Sequence, residues 1–192
     1  MKRIRAITLC LLMFGCTGRE EQHSEGSEAA TSGPEIAFAD HIASVLIFVS
    51  PDCPLSQNYS RTINQLDSMF SAQQVVFQLV FPGQITQAAI DSFTTQYRLH
   101  QQVIPDSLYL LAKKLQATTT PETFIFNTHG KLVYQGAIDN WAVDLGQKRQ
   151  VITAFYVRDV LQAMIDDAPI PYTKTTAVGC FIETGIHQHD EF

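Results

Sequence analysis

This chain of 192 residues lacks the features that mark several large classes of protein. It has no phosphate-cradling glycine loop, no internal repeat and no paired Cys-x-x-Cys motifs at zinc-site spacing. Basic residues are scarce, since 13 Lys and Arg stand against 19 Asp and Glu, for a formal net charge of −6. Because nucleic-acid binding needs a basic face for the phosphates, this charge argues against a nucleic-acid partner.

Long apolar runs are also few, and the N-terminal one is short. Basic residues at positions 2, 3 and 5 precede an apolar segment over residues 6–14. This order is typical of a secretory signal, and the segment is too short to span a bilayer comfortably. Residues 12–16, Leu-Met-Phe-Gly-Cys, resemble a bacterial lipobox, which implies cleavage before Cys16 and a lipid on that cysteine. An ordinary signal peptide or a retained anchor remains the alternative.

Composition then divides the chain into three parts. We expect a lipoprotein signal peptide over residues 1–15, a flexible tether over residues 16–35 and one domain over residues 36–192. The tether is rich in Glu, Ser, Gly and Ala, which do not build a core. The rest is long enough for a core, and 45% of the whole chain is hydrophobic. The expected location is the bacterial cell envelope, anchored to a membrane through the N-terminal lipid and facing the periplasm or the exterior.

Cysteine is scarce as well, with four in the chain. Cys10 leaves with the signal and Cys16 is acylated, so two thiols remain, Cys53 and Cys180. Outside the cytoplasm such a pair can be oxidised. The C-terminal extension of the domain carries Cys180.

Apolar periodicity predicts an alternation of strands and helices in the domain. The predicted strands are residues 45–49, 75–81, 122–127 and 131–135, of which the last two form a hairpin. The predicted helices are residues 58–70, a segment capped by Thr86, residues 107–115 and residues 150–166. This order indicates an α/β fold in which a mixed sheet is covered by helices on both faces.

Cys53 lies where the first core strand ends and a helical pattern begins. Unpaired backbone N–H groups and the positive end of the helix dipole favour thiolate over thiol at such a position. Cys53 is therefore the candidate catalytic nucleophile.

Four segments resemble a known group of proteins: Asp52-Cys53-Pro54-Leu55-Ser56, Thr120-Pro121-Glu122-Thr123-Phe124, residues 130–140 and Val178-Gly179-Cys180-Phe181-Ile182. Together they resemble the redoxin-domain proteins of bacterial envelopes, relatives of the peroxiredoxins and of membrane-anchored thioredoxin-like reductases. The resemblance implies a thioredoxin-like three-layer α/β/α sandwich with a mixed central sheet. It also implies a thiol-dependent oxidoreductase that needs no cofactor and acts through Cys53 on a protein thiol or disulfide partner.

The resemblance places Ser56 where a thioredoxin has its second, resolving cysteine. A serine hydroxyl can donate a hydrogen bond to the Cys53 thiolate but cannot form a disulfide. Cys180 is the candidate substitute, and Gly179 before it permits close approach of the backbone. We expect Cys53 and Cys180 to lie close together and to form a reversible disulfide or a shared metal site. A buried, inert Cys180 is the alternative.

Pro121 resembles the cis-proline that faces the nucleophile in this fold. The resemblance implies that Thr120 is held extended beside Cys53 and offers its backbone to an incoming chain for strand-like pairing. Thr120 and Pro121 are thus the candidate substrate-binding residues. A trans proline that merely begins a strand is the alternative.

Three other functions stay open. Reduction of a peroxide is one, although Leu46 stands where the peroxiredoxin pattern has proline. A Sco-like copper chaperone could use Cys53, Cys180 and a histidine, although it resembles this fold with two cysteines in one loop. The third is a thioredoxin-like binding module without turnover. His187 and His189 lie in a short polar tail of a kind that is more often disordered, so no metal site is predicted in that tail.

Overall fold

A five-stranded mixed sheet forms the centre of the computed structural model, which describes residues 41–184. In chain order the elements are β1 (Ala43–Phe48), α1 (Pro54–Phe70), β2 (Val75–Pro82), α2 (Gln87–Tyr97), β3 (Gln102–Asp106), α3 (Leu110–Leu115), β4 (Thr119–Thr120), β5 (Glu122–Asn127), β6 (Leu132–Gly136), β7 (Ala142–Asp144), β8 (Gln147–Lys148), α4 (Tyr156–Ile165) and β9 (Cys180–Phe181). None of the helices described is long and apolar enough to cross a membrane. The predicted signal peptide, Cys16, the tether, His187 and His189 lie outside the described residues.

The sheet has the order β3-β2-β1-β5-β6, with β1 in the middle. β1 is parallel to β2 and antiparallel to β5, β2 is parallel to β3, and β5 is antiparallel to β6. All six residues of β1 are buried, as its continuous apolar sequence predicted. Its first and last residues, Ala43 and Phe48, each pair with β2 on one side and with β5 on the other.

Helices cover both faces of the sheet. Val45 and Ile47 of β1 belong to a cluster that includes apolar side chains of α1, α2 and α4. Leu46 and Phe48 point to the other face, where they join Leu111 of α3. This alternation follows from the two-residue period of a strand. The predicted three-layer α/β/α sandwich with a mixed sheet is therefore confirmed.

The edge strand β3 was not predicted, and α3 is shorter than the helix predicted over residues 107–115. The later start of α3 arises at Asp106. Its buried carboxylate accepts hydrogen bonds from the backbone N–H groups of Leu111 at 3.1 Å and Ala112 at 2.9 Å. This side chain satisfies donors at the start of α3 and so sets where the helix begins.

The helix predicted from Gln150 begins only at Tyr156. The carboxamide oxygen of Asn140 accepts from the backbone N–H groups of Thr153 at 3.0 Å and Ala154 at 3.2 Å. The Asn140 side chain thereby holds residues just before α4 in a loop. This tertiary contact overrides the apolar periodicity there. At the other end of the domain, α1 begins at Pro54, one turn before the predicted start.

After α4 the chain returns to the sheet as a segment over residues 173–182, which we call the strap. The strap first follows β6, where Gln135 N–H donates to Thr173 O at 3.0 Å and Thr175 N–H donates to Gln135 O at 2.9 Å. It then crosses to β4, where Cys180 and Phe181 form the antiparallel partner strand β9. The strap thus carries Cys180 from the sheet edge to the end of β1 that bears Cys53.

Candidate active site

Cys53 is the residue that caps the N-terminus of α1. Its backbone is extended (φ −86°, ψ 114°), and Pro54 begins the helix with the fixed φ that the first position favours. The Cys53 N–H donates to Ser50 O at 3.1 Å, and Cys53 O accepts from Gln57 N–H at 3.0 Å. These bonds hold the sulfur at the helix start, and the residue is only 1% exposed.

The Cys53 sulfur faces the Thr120–Pro121 peptide bond, which is cis, as the resemblance implied. The thiol donates a hydrogen bond to Thr120 O at 2.9 Å. Cys180 pairs with the same residue, Thr120, across β4 and β9, and it lines the same cavity as Cys53. The structure therefore brings the two thiols together, as expected from the sequence.

The surroundings of Cys53 change its acidity in two directions. Burial raises the pKa of the thiol, whereas hydrogen bonds to the sulfur lower that pKa by more. In decreasing order of effect, the hydrogen bonds come from the Cys180 side chain, the Ser56 backbone, the Thr120 side chain and the Ser56 side chain. The net result is a pKa below the ordinary value, which favours the nucleophilic thiolate.

Cys180 has the opposite shift. Burial, the hydrogen bond to Cys53 and the negative charge on Cys53 together raise the pKa of the Cys180 thiol to about 12. Cys180 is half-buried, so it is more accessible than Cys53. Of the two thiols, Cys180 is therefore the one that holds its proton more firmly.

Ser56 lies one helical turn after Cys53 and is fully buried. Its hydroxyl accepts a hydrogen bond from Ser50 N–H at 3.2 Å, and its carbonyl accepts one from the Ser60 hydroxyl at 3.0 Å. The side chain thus ties the loop before Cys53 to the first turn of α1. Ser56 both positions Cys53 and lowers its pKa.

The strap approaches Thr120 so closely that only glycine fits at position 179. A β carbon built on Gly179 would lie 2.6 Å from the Thr120 carbonyl carbon and still closer to the Thr120 carbonyl oxygen. Two further contacts fix the strap, because Ile182 N–H donates to Thr118 O at 2.9 Å and the Thr120 hydroxyl donates to Cys180 O at 3.4 Å. Gly179 therefore sets how near Cys180 comes to Cys53.

The backbone of Thr120 is not open to an incoming chain, in contrast to the expectation from the resemblance. Thr119 pairs with Phe181 and Thr120 pairs with Cys180. The strap occupies the edge that was expected to receive a partner. The physical reason is that β4 is a short strand whose unpaired groups are satisfied by another part of the same chain.

Glu122 is a buried residue of the site that the sequence did not single out. One oxygen of its carboxylate accepts from the N–H groups of Thr118 at 2.8 Å and Thr119 at 3.3 Å, and the other accepts from the Gln135 carboxamide at 3.1 Å. Glu122 thus holds the loop that precedes Pro121. The sequence feature that could have indicated Glu122 is its place as a single acidic residue at the start of the apolar run of β5.

Cys53 and Cys180 both line a cavity of about 470 Å³ beside β4, and Asp52 and Phe181 contribute to its wall. Trp141 does not line this cavity, because its ring packs edge-on against Tyr59 at a centroid distance of 5.3 Å. Within residues 41–184, no group of three or more His, Cys, Asp or Glu side chains could hold a metal ion. The site therefore offers the chemistry of two neighbouring thiols.

Comparison with known proteins gives matches in structure only. No protein-family model matches the chain, and no curated protein matches it in sequence. A hypothetical protein of Sinorhizobium meliloti has a similar structure (TM-score 0.68, 20% identity, 76% of this chain and 81% of that chain covered). An uncharacterised conserved protein of Geobacillus kaustophilus is also similar (TM-score 0.65, 20% identity, coverage 73% and 76%).

A third similar structure carries a descriptive name. It is the solution structure of a thioredoxin-like protein in its oxidised form (TM-score 0.54, 12% identity, 71% of this chain and 88% of that chain covered). In this chain the sheet has the order β3-β2-β1-β5-β6, a cysteine begins α1, and a cis-proline faces that cysteine. Together with these similarities, the sheet order and the placement of Cys53 and Pro121 show that the chain has the thioredoxin-like fold.

Proposed function

We propose that this protein is a thiol–disulfide oxidoreductase of the bacterial cell envelope. Cys53 attacks a disulfide of a substrate protein, and Cys180 resolves the mixed disulfide that forms. The observation that carries the proposal is that both cysteines lie at Thr120 beside the start of α1: the Cys53 thiol donates to Thr120 O, Cys180 pairs with Thr120 across β4 and β9, and both line one cavity. A structural pair of inert thiols does not need one member with a lowered pKa and the other with a raised one.

The first step is attack of the Cys53 thiolate on one sulfur of the substrate disulfide. A bond forms between Cys53 Sγ and that sulfur, the substrate S–S bond breaks, and the other substrate sulfur leaves as a thiolate that takes up a proton. Ser56 supports this step because its backbone and side-chain hydrogen bonds favour the Cys53 thiolate.

The second step uses the changed surroundings of Cys180. When Cys53 Sγ is part of a disulfide, its negative charge is gone, and that contribution to the raised pKa of Cys180 ends. Cys180 then loses its proton more readily and attacks Cys53 Sγ. A Cys53–Cys180 disulfide forms, the bond between Cys53 Sγ and the substrate sulfur breaks, and that sulfur leaves as a thiolate that takes up a proton. An external dithiol protein returns the pair to the reduced state.

Ser56 explains why the second thiol comes from so far along the chain. Its hydroxyl cannot close a disulfide within the first turn of α1. Cys180, 127 positions further along the printed sequence, supplies that thiol from the strap. The proposed cycle therefore needs both the start of α1 and the C-terminal segment.

The anchoring of the protein in the envelope is part of the proposal and is supported by the sequence of residues 1–16. Labelling cells with an alkyne analogue of palmitate tests it. We expect label on the native protein and no label on a Cys16→Ser variant. Equal labelling of both proteins would overturn the anchor at Cys16.

Trapping experiments test the redox function. The reduced protein is mixed with a disulfide-containing substrate such as insulin, quenched by alkylation and mapped by mass spectrometry. We expect a Cys53–Cys180 disulfide in the native protein and a trapped mixed disulfide on Cys53 in the Cys180→Ser variant. The Cys53→Ser variant should be inactive. Insulin reduction by Cys53→Ser at the native rate would overturn the proposal.

Two further arms of this experiment address the other functions left open by the sequence. Faster consumption of hydrogen peroxide than of the disulfide would make the protein a peroxidase. Tight stoichiometric binding of Cu(I) to the reduced protein, lost in Cys180→Ala, together with no disulfide reduction, would make it a copper-binding protein.

A further inference from the structure

We infer that the substrate segment recognised by this site is an extended peptide in which glycine directly precedes the reactive cysteine. This inference rests on the proposed function, because it assumes that Cys53 attacks a peptide disulfide. It follows from the strap, which occupies the edge of β4 with a cysteine of its own.

The strap shows the register in which a cysteine-containing chain fits this edge. Cys180 lies opposite Thr120 in the antiparallel pair, and it lines one cavity with Cys53, whose thiol donates to Thr120 O. In a mixed disulfide, the substrate sulfur must bond to the Cys53 sulfur, so it must take nearly the place of the Cys180 sulfur. A substrate that pairs with β4 as a strand therefore has its cysteine in register with Thr120.

The position before this cysteine excludes side chains. At Gly179 the strap lies so close to Thr120 that any β carbon would overlap its carbonyl group. A substrate in the same register meets the same carbonyl group. The obstacle is the backbone of β4, which the Glu122 carboxylate holds at Thr118 and Thr119, so it cannot move aside as a flexible side chain can.

The positions after the cysteine impose a different requirement. Phe181 is 79% exposed, so the side chain directly after the cysteine faces solvent and is free to vary. The next residue, Ile182, donates its N–H to Thr118 O at 2.9 Å. Proline has no N–H, so it does not fit there. The recognised segment is therefore glycine, cysteine, any residue, and then any residue except proline.

The strap itself must leave β4 before a substrate can enter. Residues 173–175 stay anchored on β6 through Gln135 and through the bond from Ala137 N–H to the Thr175 hydroxyl at 3.0 Å. Cys180 is thereby kept near the site for the resolving step. Competition from the strap lowers the rate for every peptide by the same factor, so ratios between peptides report the fit to β4 alone.

A peptide panel tests the inference on the full-length chain carrying Cys180→Ser, which stops at the mixed disulfide. The parent peptide is Ala-Val-Gly-Cys-Phe-Ile, activated as a disulfide with 2-thiopyridine. The Cys53 thiolate bonds to the peptide sulfur, the S–S bond breaks, and pyridine-2-thione leaves with the electron pair and is followed by absorbance. Each rate is divided by the rate of the same peptide with glutathione, which removes differences in intrinsic reactivity.

We expect valine in place of the glycine to slow the reaction about 100-fold, the effect of displacing reacting atoms by about 1 Å. Proline in place of the isoleucine should slow it by about tenfold, which corresponds to about 1.4 kcal/mol and to one lost hydrogen bond. Serine in place of the phenylalanine should leave the normalised rate unchanged.

Each outcome has a distinct meaning. Equal normalised rates for the glycine and valine peptides, all well above one, would overturn this inference and leave the proposed function standing. Normalised rates near one for every peptide would overturn the proposed function as well. Circular dichroism of the Cys180→Ser protein, compared with the native protein, verifies that the fold is kept.

Discussion

Adding a single methyl group at position 179 should slow the formation of the Cys53–Cys180 disulfide. In Gly179→Ala the new β carbon would lie 2.6 Å from the Thr120 carbonyl carbon, whereas ordinary contacts begin at 3.4 Å. The strap must therefore move away from β4 by roughly 1 Å, since β4 is also held by the Glu122 carboxylate. A displacement of this size between reacting atoms costs about 100-fold in rate, so Cys53–Cys180 disulfide formation should slow by about that factor.

The assay follows closure of the disulfide after the reduced protein is placed in oxidised glutathione. Samples are quenched with acid, alkylated and analysed by mass spectrometry. The masses give the fraction of protein that carries the Cys53–Cys180 disulfide at each time. Gly146→Ala is the control for adding a methyl group away from the site: nothing lies within 4 Å of it, and the strain from the Gly146 φ of +79° falls in the turn between β7 and β8. We expect this control to close its disulfide at the native rate.

A second measurement separates displacement of the strap from loss of the fold. Gly179→Ala should unfold in urea in one transition, because the main apolar clusters of the sheet contain no residue of the strap before Ile182. The reasoning is refuted by a Gly179→Ala protein that is folded and closes its disulfide as fast as the native protein.

Three further predictions concern acidity and stability. Ser56→Ala should raise the pKa of Cys53, because a hydrogen bond to the thiolate is lost. The pH profile of Cys53 alkylation should therefore move to higher pH. An unmoved profile would contradict the role of Ser56 in lowering this pKa. Asp106→Ala leaves two N–H groups at the start of α3 without their acceptor. The free energy of unfolding in urea titrations should fall by about 2 kcal/mol. An unfolding free energy equal to that of the native protein would contradict this prediction. Above pH about 8.5 the unfolded chain loses the Cys180 proton while the folded protein keeps it to about pH 12, so stability should fall as the pH rises. Cys180→Ala should remove part of that fall in urea titrations at pH 8 and 10, and an identical fall would count against it.

Much of the fold could be predicted because its signals are local. The strand β5 has the predicted bounds, and β2 extends one residue beyond its predicted end. Thr86 caps α2 as expected, with its hydroxyl accepting from Ala89 N–H at 3.3 Å. These elements follow from apolar runs, capping residues and turn residues that lie within a few positions of one another.

Elements defined by distant contacts were missed. β3 contains Pro105, which weakens any strand prediction, and it forms because its neighbour β2 offers a free edge. β4 and β9 have two residues each, too few for a periodic signal. Such short strands exist only because the partner strand is already in place.

The candidate site likewise contains residues that local sequence patterns indicate and residues that only the tertiary structure brings together. The sequence alone indicates Cys53 as a cysteine at a helix start, Pro121 as its facing proline and Ser56 as a residue unable to resolve a disulfide. Only the tertiary structure shows that Cys180 reaches Cys53 and that its strap covers Thr120, 60 positions away in the chain. The physical reason is that the acidity and pairing of a thiol depend on which groups surround it in space. Those groups come from three separate parts of this chain: the start of α1, Thr120 in β4, and the strap.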